Sequence, residues 1–381
     1  MPGVVTRYLY GIKIQPMFQT LLLATTVWLA GLPSDPLDAA PAMDVPVQDS
    51  LKFPQEKHLA NLRQLTFGGD NAEAYWSFDN HKLTFQATRS AWNASCDQIF
   101  MIDTRKAIDT SRAPQLISTG KGRTTCSYFM PGNKKILYAS THEADDACPP
   151  APERTVDGKY VWPIYPSFDI YIANLKGKII RKLTDSPGYD AEATVSPKGD
   201  KIVFTSIRSG DLELYTMDMN GRNVRQITSG LGYDGGAFFS PDGSKIVFRA
   251  SRPTSPEDIA DYRALLAKNL VQPTNMELFV CNTDGSDLRQ VTHLGKANWA
   301  PYFLPSGDKI LFSSNHKGSR GYQFNLFMIN LDGTGLEQVT YDPVFDSFPM
   351  FSPDGKKLAF SSNRNNGGTH ATNLFIADWV N

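Results

Sequence analysis

Arg181-Lys182-Leu183-Thr184, then Ser196-Pro197-Lys198-Gly199 twelve residues after the threonine, then Lys201-Ile202-Val203-Phe204, is the stretch that decides the fold. The chain repeats this three-part pattern six times. Its opening segment recurs as Arg63-Gln64-Leu65-Thr66, Gln115-Leu116-Ile117-Ser118, Arg225-Gln226-Ile227-Thr228, Arg289-Gln290-Val291-Thr292 and Glu337-Gln338-Val339-Thr340, each a short strand candidate. The turn recurs as Ser77-Phe78-Asp79-Asn80, Met130-Pro131-Gly132-Asn133, Ser240-Pro241-Asp242-Gly243, Leu304-Pro305-Ser306-Gly307 and Ser352-Pro353-Asp354-Gly355. Proline presets φ in such a turn, and Gly or Asn accepts its left-handed corner. Eight residues after each turn begins comes an aromatic, at Phe85, Tyr138, Phe204, Phe248, Phe312 and Phe360. These sit in apolar or alternating runs, which signal strands.

A third strand candidate follows in each copy, around residues 99–101, 170–172, 214–216, 278–280, 326–328 and 374–376. Four strands per unit at a period of 44 to 66 residues describe a propeller blade. The expected fold is therefore all-β, a six-bladed propeller of four-stranded blades over residues 62–381. The pattern enters on an outer strand at 62–66 and leaves on a third strand at 374–378, so the N-terminal strand should complete the last blade. That closure leaves no bare sheet edge at the seam.

The Arg-x-Leu-Thr strand, the Ser-Pro-Asp-Gly turn and the Ile-x-Phe that follows resemble the repeats of TolB-like propellers, relatives of the WD40 class, over residues 62–378. The resemblance implies six blades and, by analogy with TolB, a periplasmic protein that binds protein partners.

Composition fits a globular chain: 41% hydrophobic and 20% charged residues can bury a sizeable core. With 38 basic against 39 acidic side chains the net charge is −1, which argues against nucleic acid or an anionic membrane surface as partner. Arg7 and Lys13 precede an apolar stretch at 17–32, and Ala40-Pro41-Ala42 offers a cleavage site. Residues 1–42 are expected to be a secretory signal, 43–61 a linker, and the mature chain a periplasmic or secreted monomer without a membrane span.

Three sets of residues converge on one face of such a ring. Asn71, Thr124, Asp190, Asp234, Asn298 and Asp346 stand six residues before each turn, and Glu73, Cys126, Glu192, Gly236, Ala300 and Phe348 stand two further on. Arg89, His142, Arg208, Arg252, His316 and Arg364 follow the strand aromatics by four. A carboxylate ring facing a cationic ring can bind a polar ligand, or a cation such as Ca²⁺. It can equally pair Asp with Arg and serve only structure, and recurrence with the repeat favours that reading. The departures from six-fold regularity, Glu73, Glu192, His142 and His316, point better to function.

The third set is insertional. The loop between second and third strands is long in blade 2, at 143–168, and in blade 4, at 253–276. The blade 4 loop carries Ser255-Pro256-Glu257-Asp258, a helix start, and is expected to form a short amphipathic helix to residue 270. The blade 2 loop is rich in Pro and aromatics, with Trp162 and Tyr165 suited either to recognising a peptide or sugar or to packing on the ring. Cys96, Cys126 and Cys148 map to this face, two of them candidates for a disulfide that includes Cys148, and Cys281 is expected as a buried thiol. A Cys₃His zinc site with His142 is a weaker option because the spacing is irregular.

No Gly-x-Ser-x-Gly elbow and no His-Glu-x-x-His helix is present. The expected function is extracytoplasmic binding of a protein, peptide or glycan on the insertion-bearing face, with no cofactor. The alternative is a metal-dependent lyase or hydrolase at the funnel, with His142, His316, Glu73 and Glu192 as ligands.

Overall fold

A computed structural model describes residues 50–152 and 158–381. The expected secretory segment, 1–42, lies outside the described residues. From residue 50 onward the chain forms six four-stranded antiparallel sheets. Blades 1 to 5 each run from an inner strand outward in sequence order. Their inner strands are Asp70–Trp76, Thr124–Phe129, Asp190–Val195, Asp234–Phe239 and Asn298–Phe303.

Blade 6 is completed as expected by the N-terminal strand. Leu59–Gln64 pairs antiparallel with Asn373–Trp379, outside Lys357–Ser362 and Asp346–Phe351. This strand starts three residues before the expected boundary at 62, and the segment ahead of it also takes part. Glu56 is fully buried and receives two hydrogen bonds from Arg364, at 3.0 and 2.9 Å, so the closing strand is tied down by charge as well as by its ladder.

The repeated residues explain the blade. In all six copies the Thr or Ser that ends the opening segment accepts a backbone N–H from the third strand, as Thr228 does from Leu214 at 2.9 Å and Ser118 from Ile99 at 3.0 Å. The outer strand therefore ends on a side-chain hydrogen bond where its short ladder stops. In the turns, Ser240 Oγ donates to Asp242 at 2.6 Å and accepts from Lys245 N at 2.9 Å, and Ser77 and Ser352 do the same. Gly243 takes the corner at φ 69°. The recurrent aromatics pair across strands, Phe204 with Tyr215, Phe248 with Phe279 and Phe360 with Phe375, their ring centres 5.8–5.9 Å apart.

Both inserts depart from plain loops. The blade 4 insert forms the helix Pro256–Leu266, capped by Ser255, whose hydroxyl accepts from Asp258 N. The helix is shorter than expected: residue 269 turns left-handed at φ 56°, and Leu270–Val271 becomes a strand that pairs with Trp162–Pro163 of the blade 2 insert. Its apolar face is also small, since Tyr262 is its one buried side chain. Lys159 reaches Asp261 at 2.6 Å, a second link between the inserts. A disulfide joins Cys96 of blade 1 to Cys148 at the root of the blade 2 insert. Among the described residues, no helix is long and apolar enough to cross a membrane.

Candidate functional site

Each inner strand carries a β-bulge near its start, where two residues oppose one on the second strand. The bulged residues are Glu73, Cys126, Glu192, Gly236, Ala300 and Phe348, and all six are left-handed, with φ between 47° and 61°. A non-glycine residue in this region costs about 1–3 kcal/mol, and such strain gathers where a side chain must be aimed. Here the bulges turn five side chains toward the mouth of the central funnel. They also turn backbone N–H groups onto the preceding blade: Cys126 N donates to Gln86, Gly236 N to Glu192 and Phe348 N to Ser313.

The regular rings form latches within blades. Asp190 receives both carboxylate bonds from Arg208 at 3.0 Å, Asp234 is held by both ends of the Arg252 guanidinium, and Asp346 receives Arg364 at 2.9 Å. These arginines also lie over the cross-strand aromatics, Arg208 5.0 Å from Tyr215, Arg252 4.9 Å from Phe279 and Arg364 5.1 Å from Phe360. In blades 2 and 5, where the inner strand offers Thr124 or Asn298, histidine takes the place of arginine, whereas blade 1 sets Asn71 before Arg89. His142 packs at a tilt against Tyr171 and His316 against Phe327, each with Nδ1 on a serine hydroxyl of its own blade, Ser140 or Ser314. Burial pushes both imidazoles below their usual range.

The structure therefore does not bring His142 and His316 together with Glu73 and Glu192. Among the described residues, no group of three or more His, Cys, Asp or Glu side chains is arranged to hold a metal ion. The Cys₃His arrangement fails because Cys96 and Cys148 are bonded to each other, while Cys126 Sγ donates to Glu73 at 2.9 Å. Cys281 lies buried in blade 4 as a free thiol.

Inside the bulge ring lies a cavity of about 500 Å³. Glu192 is its most heavily bonded group. It accepts from Tyr189, Tyr233, Thr205, Gly236 N and Arg249, the last at 3.1 Å. Burial opposes the charge on Arg249, but Glu192 and its neighbours outweigh that and hold it protonated. Its guanidinium lies 5.3 Å from the Trp162 ring and 5.0 Å from Tyr233. Gly236 makes room for it: a β-carbon there would overlap Arg249 Nη1.

Glu73 is bonded differently. Its Oε2 accepts from Tyr75 at 3.1 Å and from Cys126, no Lys or Arg among the described residues pairs with it, and burial raises its carboxyl above the usual range. Burial likewise pushes the Cys126 thiol well up, with the Glu73 charge adding to the effect, which disfavours the thiolate.

Aromatic side chains line much of the rest of the cavity. Trp162 lies 5.0 Å from Trp299, Trp299 stacks on Phe324 at 4.2 Å, and Phe345 lies 5.8 Å from Phe324 and 6.4 Å from Phe348. Tyr165 donates to Pro150 O within the blade 2 insert, and Tyr160, which accepts from Trp162 Nε1, is 58% exposed at the rim. Sequence reasoning passed over Tyr160, Tyr233, Arg249 and Trp299. One signal for Arg249 was present: it stands after a strand aromatic where blades 2, 3, 5 and 6 carry Ala139, Thr205, Ser313 and Ser361, in the blade whose bulge is Gly.

A family model described as the TolB beta propeller domain matches residues 165–254, the end of the blade 2 insert and the strands that carry Glu192 and Arg249. Over that stretch the chain is similar to the TolB propeller. A TolB protein from Agrobacterium tumefaciens shares its fold at a TM-score of 0.53 and 18% identity, over 82% of this chain and 91% of that one. TolB from Acinetobacter baumannii gives a TM-score of 0.53 and 18% identity over 79% of this chain. It is matched over 64% of its own length, so this chain spans less than two thirds of that protein. A gluconolactonase from Xanthomonas campestris gives 0.51 and 12% over 85% of this chain and 91% of that one. Identities this low show the shared fold alone, and among curated proteins none matches in sequence.

Proposed function

We propose that this chain is an extracytoplasmic binding propeller, which receives part of a protein, peptide or glycan at the funnel mouth on its insert-bearing face. The observation that carries this reading is the joining of the two inserts. Trp162–Pro163 and Leu270–Val271 form a small ladder that places Trp162 and Tyr165 against the funnel, with Tyr160 exposed beside them. A rigid aromatic rim around a concave polar floor suits recognition, because the ring faces contribute contact area at little entropic cost. Location outside the cytoplasm is supported by the sequence pattern of residues 1–42 and by the Cys96–Cys148 disulfide, a bond that persists in oxidising compartments. TolB analogy agrees with a protein partner in a periplasm.

Peptide and glycan arrays probed with the purified chain and with Trp162→Ala test the reading. It expects a discrete ligand class retained by the wild type and weakened at least about tenfold by the substitution, as for loss of a buried aromatic anchor. Ligands bound equally by both proteins, or none bound by either, would overturn it.

A further inference from the structure

Resting on the binding reading above, we infer that the funnel is a receptor for a primary ammonium group, carried by a lysine side chain of the bound partner. The charges lining the cavity are four carboxyl groups against two guanidiniums. Both guanidiniums are committed. Arg249 is held by Glu192 at 3.1 Å and Arg123 by Asp97 at 2.7 Å, so the charge of each is already matched by a carboxylate even though each keeps further N–H donors.

Two carboxyl groups have no ion-pair partner among the described residues, although the charge of Arg249 acts on Glu73 at longer range. Glu73 projects from its bulge with one oxygen bonded to Tyr75 and Cys126 and the other without a donor among the described residues. Asp70 lies exposed at the start of the same strand, and no described Lys or Arg pairs with it. The same cavity is lined by the rings of Trp162, Trp299 and Phe348. Carboxylates and ring faces in one concave site favour a partly desolvated ammonium, by ion pairing and by attraction to the aromatic quadrupole. The left-handed backbone at Glu73, φ 54°, turns this carboxylate toward the funnel at a conformational cost that glycine avoids at Gly236 in blade 4. A neutral sugar would use the rings but leave Glu73 without an opposite charge.

The test uses acetyl-Gly-Lys-Gly-amide, the same peptide acetylated on the lysine nitrogen, and titration of the full chain followed by tryptophan fluorescence and calorimetry. The inference expects saturable binding of the ammonium peptide, binding of the acetylated peptide about tenfold or more weaker, and a similar loss in Glu73→Gln for the ammonium peptide alone. The comparison of the two peptides on wild-type protein does not depend on how the variant folds. Equal binding of both peptides, no binding of the ammonium peptide, or Glu73→Gln behaving as wild type would each overturn it. An array ligand that needs Trp162 but tolerates Glu73→Gln would sink the ammonium receptor and leave the binding propeller standing.

Discussion

Glu192 on the inner strand of blade 3 and Arg249 on the second strand of blade 4 hold each other at 3.1 Å across the blade boundary, each side chain 9% exposed. Breaking a buried pair by removing one partner leaves the other charge uncompensated, at a cost of about 3–5 kcal/mol. Arg249→Met is therefore expected to lower the urea midpoint sharply. Combining it with Glu192→Gln should recover part of the loss, because the stranded carboxylate is gone. Equal midpoints for the single variant and wild type would mean the pair carries no net weight.

Closure at the seam rests on the N-terminal strand together with Glu56, buried against Arg364, which also holds Asp346. Deletion of residues 1–64 should open blade 6 and abolish a single cooperative thermal transition. Glu56→Gln, which keeps the strand, should lower stability by about 3 kcal/mol while leaving the transition cooperative. Calorimetry distinguishes the two.

Stability should depend on pH through Glu213. Burial raises its carboxyl to about 7, with Asp234 and Asp211 adding repulsion against bonds from Thr228 and Gly230 N. Asp234 is itself pushed up by burial while Arg252 opposes the shift. The folded chain therefore holds a proton that the unfolded chain releases near the ordinary carboxyl value of about 4.3. The resulting stabilisation is complete below that value and is lost as pH rises through about 7. Denaturant midpoints measured from pH 4.5 to 8 should fall for wild type and be flatter for Glu213→Gln.

The Cys96–Cys148 disulfide closes a 52-residue separation. Cys148→Ser should cost about 2–4 kcal/mol by freeing the unfolded chain. It should also raise hydrogen exchange in the blade 2 insert ahead of Trp162, with the six blade cores unchanged. Faster exchange throughout the ring would place the bond's role elsewhere.

Ala300 holds a left-handed backbone, φ 47°, without a side chain long enough to use it. Ala300→Gly should stabilise the chain by about 1 kcal/mol, read as a higher melting temperature. The same exchange at Glu73 should be neutral or favourable to stability while removing the funnel carboxylate.

Much of this was legible because the blade is written locally. The Thr that caps the outer strand, the Ser-Pro-Asp-Gly turn and the cross-strand aromatics each recur at fixed spacing, so periodicity finds them. The latches were half visible too: Asp precedes Arg in blades 3, 4 and 6, while Thr124 and Asn298 precede His142 and His316. What the spacing did not carry was backbone handedness. Glu73, Cys126, Ala300 and Phe348 are not residues that signal a left-handed φ, and only Gly236 hints at the bulge they share. Nor could a repeat-based reading pair the two inserts, because Trp162–Pro163 and Leu270–Val271 meet through tertiary contact between segments with no counterpart in other blades.

Recognition of partners at the funnel mouth between the inserts can be read by hydrogen exchange with and without an array-identified ligand. Protection is expected in 70–76, 124–129 and 160–168, with the turns at 240–243 and 352–355 on the opposite face unaffected. Protection confined to those turns, with the funnel strands and the blade 2 insert unchanged, would contradict it.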